Sequence, residues 1–274
     1  MSSPRVGLVG YGLGGRVFHA PLLVGAGFEV AAILTNSPDR RGQAISDFPA
    51  ARICSTMDEL LDQNVDLVVI SSANQVHAEQ AMASIEAKVS TVIDKPVGRN
   101  LHETKAIFAA AEKNGVKISA FFNRRWDSDA LTIKRLIRER SLGPIHRFES
   151  RFERYKPEIA NFGWRDASDQ ESGGGWLLDI QTHVVAGALD LFGPAEVSFA
   201  AMLNIRGASD DHVAVLRSEG LIRDDAGVGR PPFPRKLASV QVGAGDVDER
   251  RDDQDDDEDQ EDAVRRVVAV LIAV

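Results

Sequence analysis

The sequence predicts an α/β protein: a doubly wound parallel sheet first, then a smaller, incomplete α+β domain with an antiparallel sheet. Three observations carry this. Short apolar runs alternate with helical segments through residues 5–122. A glycine-rich turn, 10–15, directly follows the first apolar run. Beyond residue 122 the pattern changes to period-two strands around one amphipathic helix, and near residue 220 regular patterning stops.

The elements follow in order. Residues 5–10 form a strand that runs through the glycine turn into a helix ending near Val24. Residues 28–35 are a second strand, with a helix from Pro38. A short strand lies around 52–54. Thr56 and Glu59 then have the spacing of a capping box, which opens a brief helix. Residues 65–72 are an almost unbroken apolar run, as a strand covered on both faces requires. Asn74 is placed to cap the next helix, which runs to about Ala87. Strands at 90–94 and 116–122 flank a helix opened by Asn100 and Glu103. In the second part a helix spans about 127–140, and a period-two strand spans 144–155. A turn of glycines, 173–175, leads into a helix, and strands follow at 195–205 and 211–218. The expected domains are therefore 1–122, 123–219 and an irregular acidic tail, 220–274.

Composition narrows the function. The net charge of −9 is local. Residues 246–262 hold twelve Asp/Glu and two Arg, net −10, which leaves the rest of the chain at about +1. No clustered basic surface suggests nucleic acid, and no apolar run reaches the length of a membrane span. The N-terminal residues do not read as a signal peptide. One cysteine, Cys54, allows no internal disulfide and fits a reducing, cytoplasmic compartment. The acidic block predicts disorder over 224–262.

The turn Gly10-Tyr11-Gly12-Leu13-Gly14-Gly15 matches G-x-G-x-x-G between a strand and a helix, the dinucleotide-binding Rossmann pattern. Gly10 permits the tight turn, Gly12 the approach of a pyrophosphate, and Gly15 close helix packing. An NAD site usually has an acid about 20 residues on, at the tip of the second strand. Here Thr35, Asn36, Ser37, Pro38 and Asp39 are followed by Arg40 and Arg41. Thr35, Ser37 and the two arginines suit a ribose 2′-phosphate. NADP(H) is favoured over NAD(H), although Asp39 reaching the ribose is the alternative.

Asp179 and His183 lie four residues apart in a helical pattern, on one face. A carboxylate beside an imidazole holds the ring and favours its charged form, as a general acid/base needs. An isolated pair of this kind is more often a surface ion pair. The candidate metal set is empty, because no His, Cys or acidic spacing reads as a ligand cluster.

The glycine loop, Asp94-Lys95-Pro96 at the end of the fifth strand, and G-G-x-x-x-D-x-x-x-H at 174–183 occur in that order. Together they resemble the glucose–fructose oxidoreductase / inositol dehydrogenase (Gfo/Idh/MocA) family. GYGLGGRVFHAPLL and FFNRRWDSD make the chain most similar to its NADP-dependent scyllo-inositol dehydrogenase-like members. The resemblance covers about residues 4–218 and has Asp-Lys-Pro where the family usually has Glu-Lys-Pro.

The resemblance implies an active site between the domains. There a hydride passes between a nicotinamide and a secondary alcohol or ketone of a cyclitol, sugar or related polyol. It assigns Lys95, Asp179 and His183 to catalysis. His183 would be the base, Asp179 its orienting partner, and Lys95 the donor to the substrate oxygen. Ser71 and Asn74 would line the nicotinamide side, with His77 as a cofactor contact or a packing residue. Asn123, Trp164 and Arg165 are substrate candidates. His19 reads as a structural histidine of the first helix.

Relatives in this family continue into a larger open sheet, which often forms the oligomer interface. Here the pattern stops early, so the chain is expected to be a truncated or frame-shifted member whose oligomeric state is open. A dinucleotide-binding protein with weak or absent turnover is the alternative. An acidic-tail interaction module is a remote third.

Overall fold

A computed structural model describes residues 2–145, 147–155, 173–175, 177–205, 208–217, 241–242 and 265–273. Six parallel strands build the first sheet: β1 (Arg5–Val9), β2 (Glu29–Leu34), β3 (Arg52–Cys54), β4 (Leu67–Ile70), β5 (Ser90–Asp94) and β6 (Ile118–Phe121). Their order is β3-β2-β1-β4-β5-β6. The chain leaves β1 toward β2 on one side and returns through β4 on the other. The carboxyl end of β1 is therefore the switch point where ligands bind in such sheets.

Sequence explains why these runs are strands buried on both faces. Val68 and Ile70 enter one apolar cluster with Val9, Leu60, Ile85, Ile93 and Ile107. Their neighbour Val69 enters the opposite cluster with Val6, Leu8, Leu23 and Ile33. Successive side chains point to opposite faces, so a near-continuous apolar run serves both layers. The helices α1 (Ala20–Gly25), α2 (Pro38–Asp47), α3 (Met57–Leu61), α4 (His77–Glu86) and α5 (Leu101–Asn114) supply the covering side chains.

Two of the three expected caps, Thr56 and Asn100, lie where the sequence sets them. Thr56 Oγ1 accepts from Glu59 N at 3.2 Å, and Asn100 Oδ1 accepts from Glu103 N at 2.9 Å. Gly115 ends α5 at φ +67°. Residues 14–19 differ from the expected plain helix, because Gly14–His19 is a π-helical turn that precedes α1.

The chain divides into two units: residues 1–122 with 169–174, and residues 123–168 with 175–274. The second unit contains α6 (Ser128–Arg138), β7 (Arg147–Tyr155), a π-helical turn (Leu177–Gln181) and α7 (Thr182–Phe192). It also holds β8 (Glu196–Ile205), β9 (Ala208–Arg217), β10 (Gln241–Val242) and β11 (Arg265–Ala273). Its sheet runs β10-β7-β11-β9-β8. Val184, Ala188 and Phe192 put one face of α7 against Phe148, and the Phe148 and Phe192 rings lie 5.0 Å apart. Asp190, on the same helix, binds Lys134 of α6 at 2.8 Å and Arg125 at 3.2 Å.

Two expectations are corrected here. The reading of 220–274 as an irregular tail fails for 265–273, which form β11, antiparallel to β7 and parallel to β9. Val267, Val268, Val270 and Ile272 give this stretch strand propensity. Its partners are distant in sequence, so no local pattern reveals the pairing. The sheet is accordingly mixed rather than antiparallel. Within 224–262, Gln241–Val242 pairs with β7, and the other residues of that expected disorder lie outside the described residues.

Deleting residues 264–274 removes the strand that joins β7 to β9. We expect the second unit to become protease-sensitive while peptides of 5–122 keep their protection from hydrogen exchange. Equal protection of β7 and β9 with and without the deletion would contradict the pairing.

Candidate active site

The site in the first unit is built on absent side chains. Gly10 has φ +90°, its N–H donates to Leu34 O at 2.9 Å, and a Cβ there would lie 2.5 Å from Ser71 O. A Cβ on Gly15 would collide with the Gly10 carbonyl oxygen. The turn therefore folds tightly between β1 and the following helix, which leaves free N–H groups at the helix start. Within the turn, Tyr11 donates to Asp47 at 2.8 Å, and just past it Arg16 pairs with the same carboxylate at 2.7 Å. Burial, then the Asp47 carboxylate, pushes the Tyr11 hydroxyl up to about 12. The Arg16 bond, with that of Tyr11, holds Asp47 below its ordinary range.

The end of β2 separates two arginines that are adjacent in sequence. Arg41 Nη1 donates to Thr35 O and to Ser55 Oγ, both at 3.1 Å, so it braces the strand end. Arg40 is exposed, and its guanidinium carbon lies 3.5 Å from where a Gly12 Cβ would stand. Arg40 is thus the cation beside the glycine turn. Thr35 is buried, and Ser37 sits at the N-cap of α2 without a side-chain capping bond.

Asp94 closes the site at the end of β5. Its Oδ1 accepts from Lys95 N at 2.9 Å, and its Oδ2 accepts from Ser71 Oγ at 3.2 Å. The buried His19 places Nε2 3.5 Å from the same Oδ2 and packs its ring on Phe121 at 4.2 Å. Burial pushes the Asp94 carboxyl up. The neighbouring His19 ring, the Lys95 N–H and the Lys95 ammonium outweigh that and hold it below the usual carboxylate range. Gly14 makes room for the group, because a Cβ there would collide with Ser71 Oγ and stand 3.2 Å from Asp94 Oδ2. Lys95 is half-buried, and the Lys95–Pro96 peptide is cis. Sequence reasoning singled out Lys95 but missed Asp94 and Gly14 and gave His19 no part. The signals available were the Asp-Lys-Pro variant and a histidine just past the glycines.

Asn74 does not cap α4, a correction to the expected role. That helix starts at His77 behind Val76, without a side-chain cap. Asn74 Nδ2 instead donates to Gly173 O at 2.8 Å. His77 is buried, with Nδ1 2.8 Å from Pro96 O and Nε2 3.1 Å from Ser72 O.

In the second unit, Asp179 lies in the Leu177–Gln181 π-turn and His183 in the first turn of α7. The pair spans a change of helix type rather than the uniform α-helix expected, since an inserted π-turn carries more residues per turn. Asp179 N donates to Gly175 O at 3.1 Å. Asn123 opens a 3₁₀ turn, Asn123–Trp126. Trp164 and Arg165 lie outside the described residues.

Two outcomes check this geometry. Gly15→Ala displaces the Gly10 carbonyl and should weaken dinucleotide binding at least about tenfold, read by titration. Asp94 is held low in the folded state, so its contribution to stability is present above its unfolded value, about pH 4, and is lost as pH falls through the folded value. The difference in thermal midpoint between the wild type and Asp94→Asn should therefore be largest above about pH 4 and shrink below it. A difference that stays constant through this range would contradict the assignment.

The comparisons agree with this fold. Residues 4–122 match the oxidoreductase family model with an NAD-binding Rossmann fold, and residues 130–222 match the GFO/IDH/MocA C-terminal domain. The chain is 38% identical over 190 residues to the uncharacterized oxidoreductase YdgJ of Escherichia coli, covering 69% of this chain and 54% of that protein. It is 37% identical over 191 residues to the scyllo-inositol 2-dehydrogenase (NADP(+)) IolW of Bacillus subtilis, covering 69% and 52%. The WlbA dehydrogenase of Bordetella pertussis, solved with NADH and UDP-GlcNAcA, superposes with a TM-score of 0.70 at 25% identity, covering 80% of this chain and 64% of that one. The chain spans about half the length of the curated relatives it matches. It carries a dinucleotide-binding Rossmann sheet and belongs to the Gfo/Idh/MocA oxidoreductase family.

Proposed function

We propose that the chain is an NADP(H)-dependent oxidoreductase acting on a secondary alcohol or ketone of a cyclitol, sugar or related polyol. The carrying observation is the carboxyl edge of the first sheet, where Ser71, Asp94 and the Lys95 main chain are hydrogen-bonded directly beside the glycine turn. The cradle fits a dinucleotide: Gly10 and Gly15 leave no room for side chains, and Gly12 faces only a flexible guanidinium. Arg40 beside Gly12, with no acid at the β2 tip, supports the 2′-phosphate over a free ribose hydroxyl. The naming of IolW as NADP-dependent points the same way.

When bound, the nicotinamide supplies a hydride acceptor or donor. Lys95, fixed through its main-chain bond to Asp94, would donate to the substrate oxygen and favour its alkoxide character. His183 would take the hydroxyl proton in oxidation and return it in reduction. Asp179 would orient the ring and stabilise its charged form. Asn123, and outside the described residues Trp164 and Arg165, are candidates to shape the substrate pocket. The buried free Cys54 suits a reducing, cytoplasmic setting.

A second reading is dinucleotide binding with little turnover: residues 4–122 match the NAD-binding Rossmann model by themselves, while the similarity spans only about half of each curated relative. Both readings predict NADPH binding tighter than NADH binding. Arg40→Ala should weaken NADPH by about 10-fold or more and NADH far less. A polyol screen at the reduced-nicotinamide absorbance separates the readings. Turnover that drops on the order of 10²–10⁴-fold in Lys95→Ala and His183→Ala, with NADPH binding kept, supports the first. Binding without turnover supports the second. No NADPH binding overturns both.

A further inference from the structure

Two buried side chains, one in the turn after β4 and one at the start of α4, reach main-chain oxygens elsewhere in the first unit. Asn74 is 4% exposed and His77 1%. We propose that Asn74 and His77 are positioning residues that clamp two stretches of main chain leading to the candidate catalytic groups. His77 holds the Lys95-Pro96 segment, and Asn74 holds the glycine turn that precedes Asp179. The clamp deepens the oxidoreductase reading and rests on it for its effect on turnover.

The glycine turn needs an external hold. Residues 173–175 are all glycine, the residue with the widest backbone freedom, and they carry no side chains to fix themselves. Gly173 adopts φ +67° with its carbonyl on Asn74 Nδ2. It is seated directly on its holder: a Cβ there would lie 2.9 Å from Asn74 Cβ and 3.3 Å from Arg99 Cγ. Arg99 is itself fixed, with its N–H donating to Glu103 Oε2 at 2.8 Å and its Nε to Oε1 at 3.0 Å. Arg99 is therefore held in place beside the turn by Glu103.

His77 holds by a different chemistry. Its two nitrogens both face carbonyl oxygens, which only accept. A neutral ring has one N–H and serves one of them, whereas the imidazolium serves both. A histidine that merely fills space would not place each nitrogen on a carbonyl. Pro96 O follows Lys95 directly, and Ser72 O belongs to the turn that also carries Asn74. The two arms thus share one base, the Ser72–His77 turn, and the direction in which the main chain leaves Lys95 is set from it.

The test uses the full chain and three readouts: amide exchange, NADPH affinity and turnover. Asn74→Ala removes the donor, and the near-isosteric Asn74→Asp replaces it with an acceptor. His77→Leu removes both ring nitrogens, and His77→Gln keeps one amide donor group. We expect both Asn74 variants to speed amide exchange about 10-fold or more in peptides of 173–181. His77→Leu should do the same in peptides of 94–99, with His77→Gln between it and the wild type. NADPH affinity should stay within about 3-fold throughout. Where turnover is measurable, kcat should fall on the order of 10–100-fold with little change in the cofactor KM. Unchanged exchange in a folded variant, or wild-type protection in Asn74→Asp, overturns the clamp. So does a loss of NADPH affinity above about 10-fold, which would make these side chains cofactor contacts. An inactive wild type sinks the oxidoreductase reading, while the exchange data still decide the clamp.

Discussion

One carboxylate organises the functional edge of the first sheet. Asp94 accepts from the Lys95 main chain and from Ser71, and it stands beside His19. These contacts gather β5, the loop after β4 and the helix after the glycine turn around one negative charge. Burying a charge is costly unless it is paired and hydrogen-bonded. Here the pairing outweighs the burial, since the group is held below its ordinary range rather than above it. Lys95 therefore leaves the sheet from a fixed point.

Charge alone does not bring those segments together, because main chains must first approach closely. The glycine turn makes that possible. Gly15 touches the Gly10 carbonyl, and Gly14 leaves Ser71 and Asp94 the space that a methyl group would take. Close packing at this point and the polar network behind it are one device, in which each lost Cβ admits a hydrogen-bonding partner. Tyr11 and Arg16 fasten the far side through Asp47. The turn is held from both ends, which suits a surface that binds an anion with main-chain N–H groups.

Much of the first unit was legible because its signals are local. Apolar runs such as 67–70 need no distant partner to be recognised, and the capping residues Thr56 and Asn100 act within one turn. Gly10, Gly15 and Lys95 stand out for the same reason. What stayed hidden depends on partners remote in sequence. Arg40 and Arg41 look alike until Thr35 O and Ser55 claim one of them. Asn74 looks like a cap, yet its amide goes to Gly173, 99 residues on. Strand β11 is invisible beside an acidic run until β7 and β9 are placed on its two sides. The π-turns at Gly14–His19 and Leu177–Gln181 carry no pattern distinct from an α-helix, so the setting of Asp179 relative to His183 was only coarsely legible.

The identity of residue 94 follows from the same geometry. Its Oδ1 meets the N–H of the very next residue, a bond that a short side chain makes without leaving the strand end. Its Oδ2 stands 3.2 Å from where a Gly14 Cβ would lie, closer than an ordinary contact, so the bare glycine leaves it room. A glutamate would carry its carboxylate one methylene further out, toward the turn and away from the Lys95 N–H. In this chain, Asp94 and Gly14 are therefore a matched pair: the shorter acid keeps the main chain of Lys95 fixed, and the missing methyl group lets the glycine turn close over it. Lengthening the one or filling the other moves both the anion-binding turn and the residue proposed to meet the substrate oxygen.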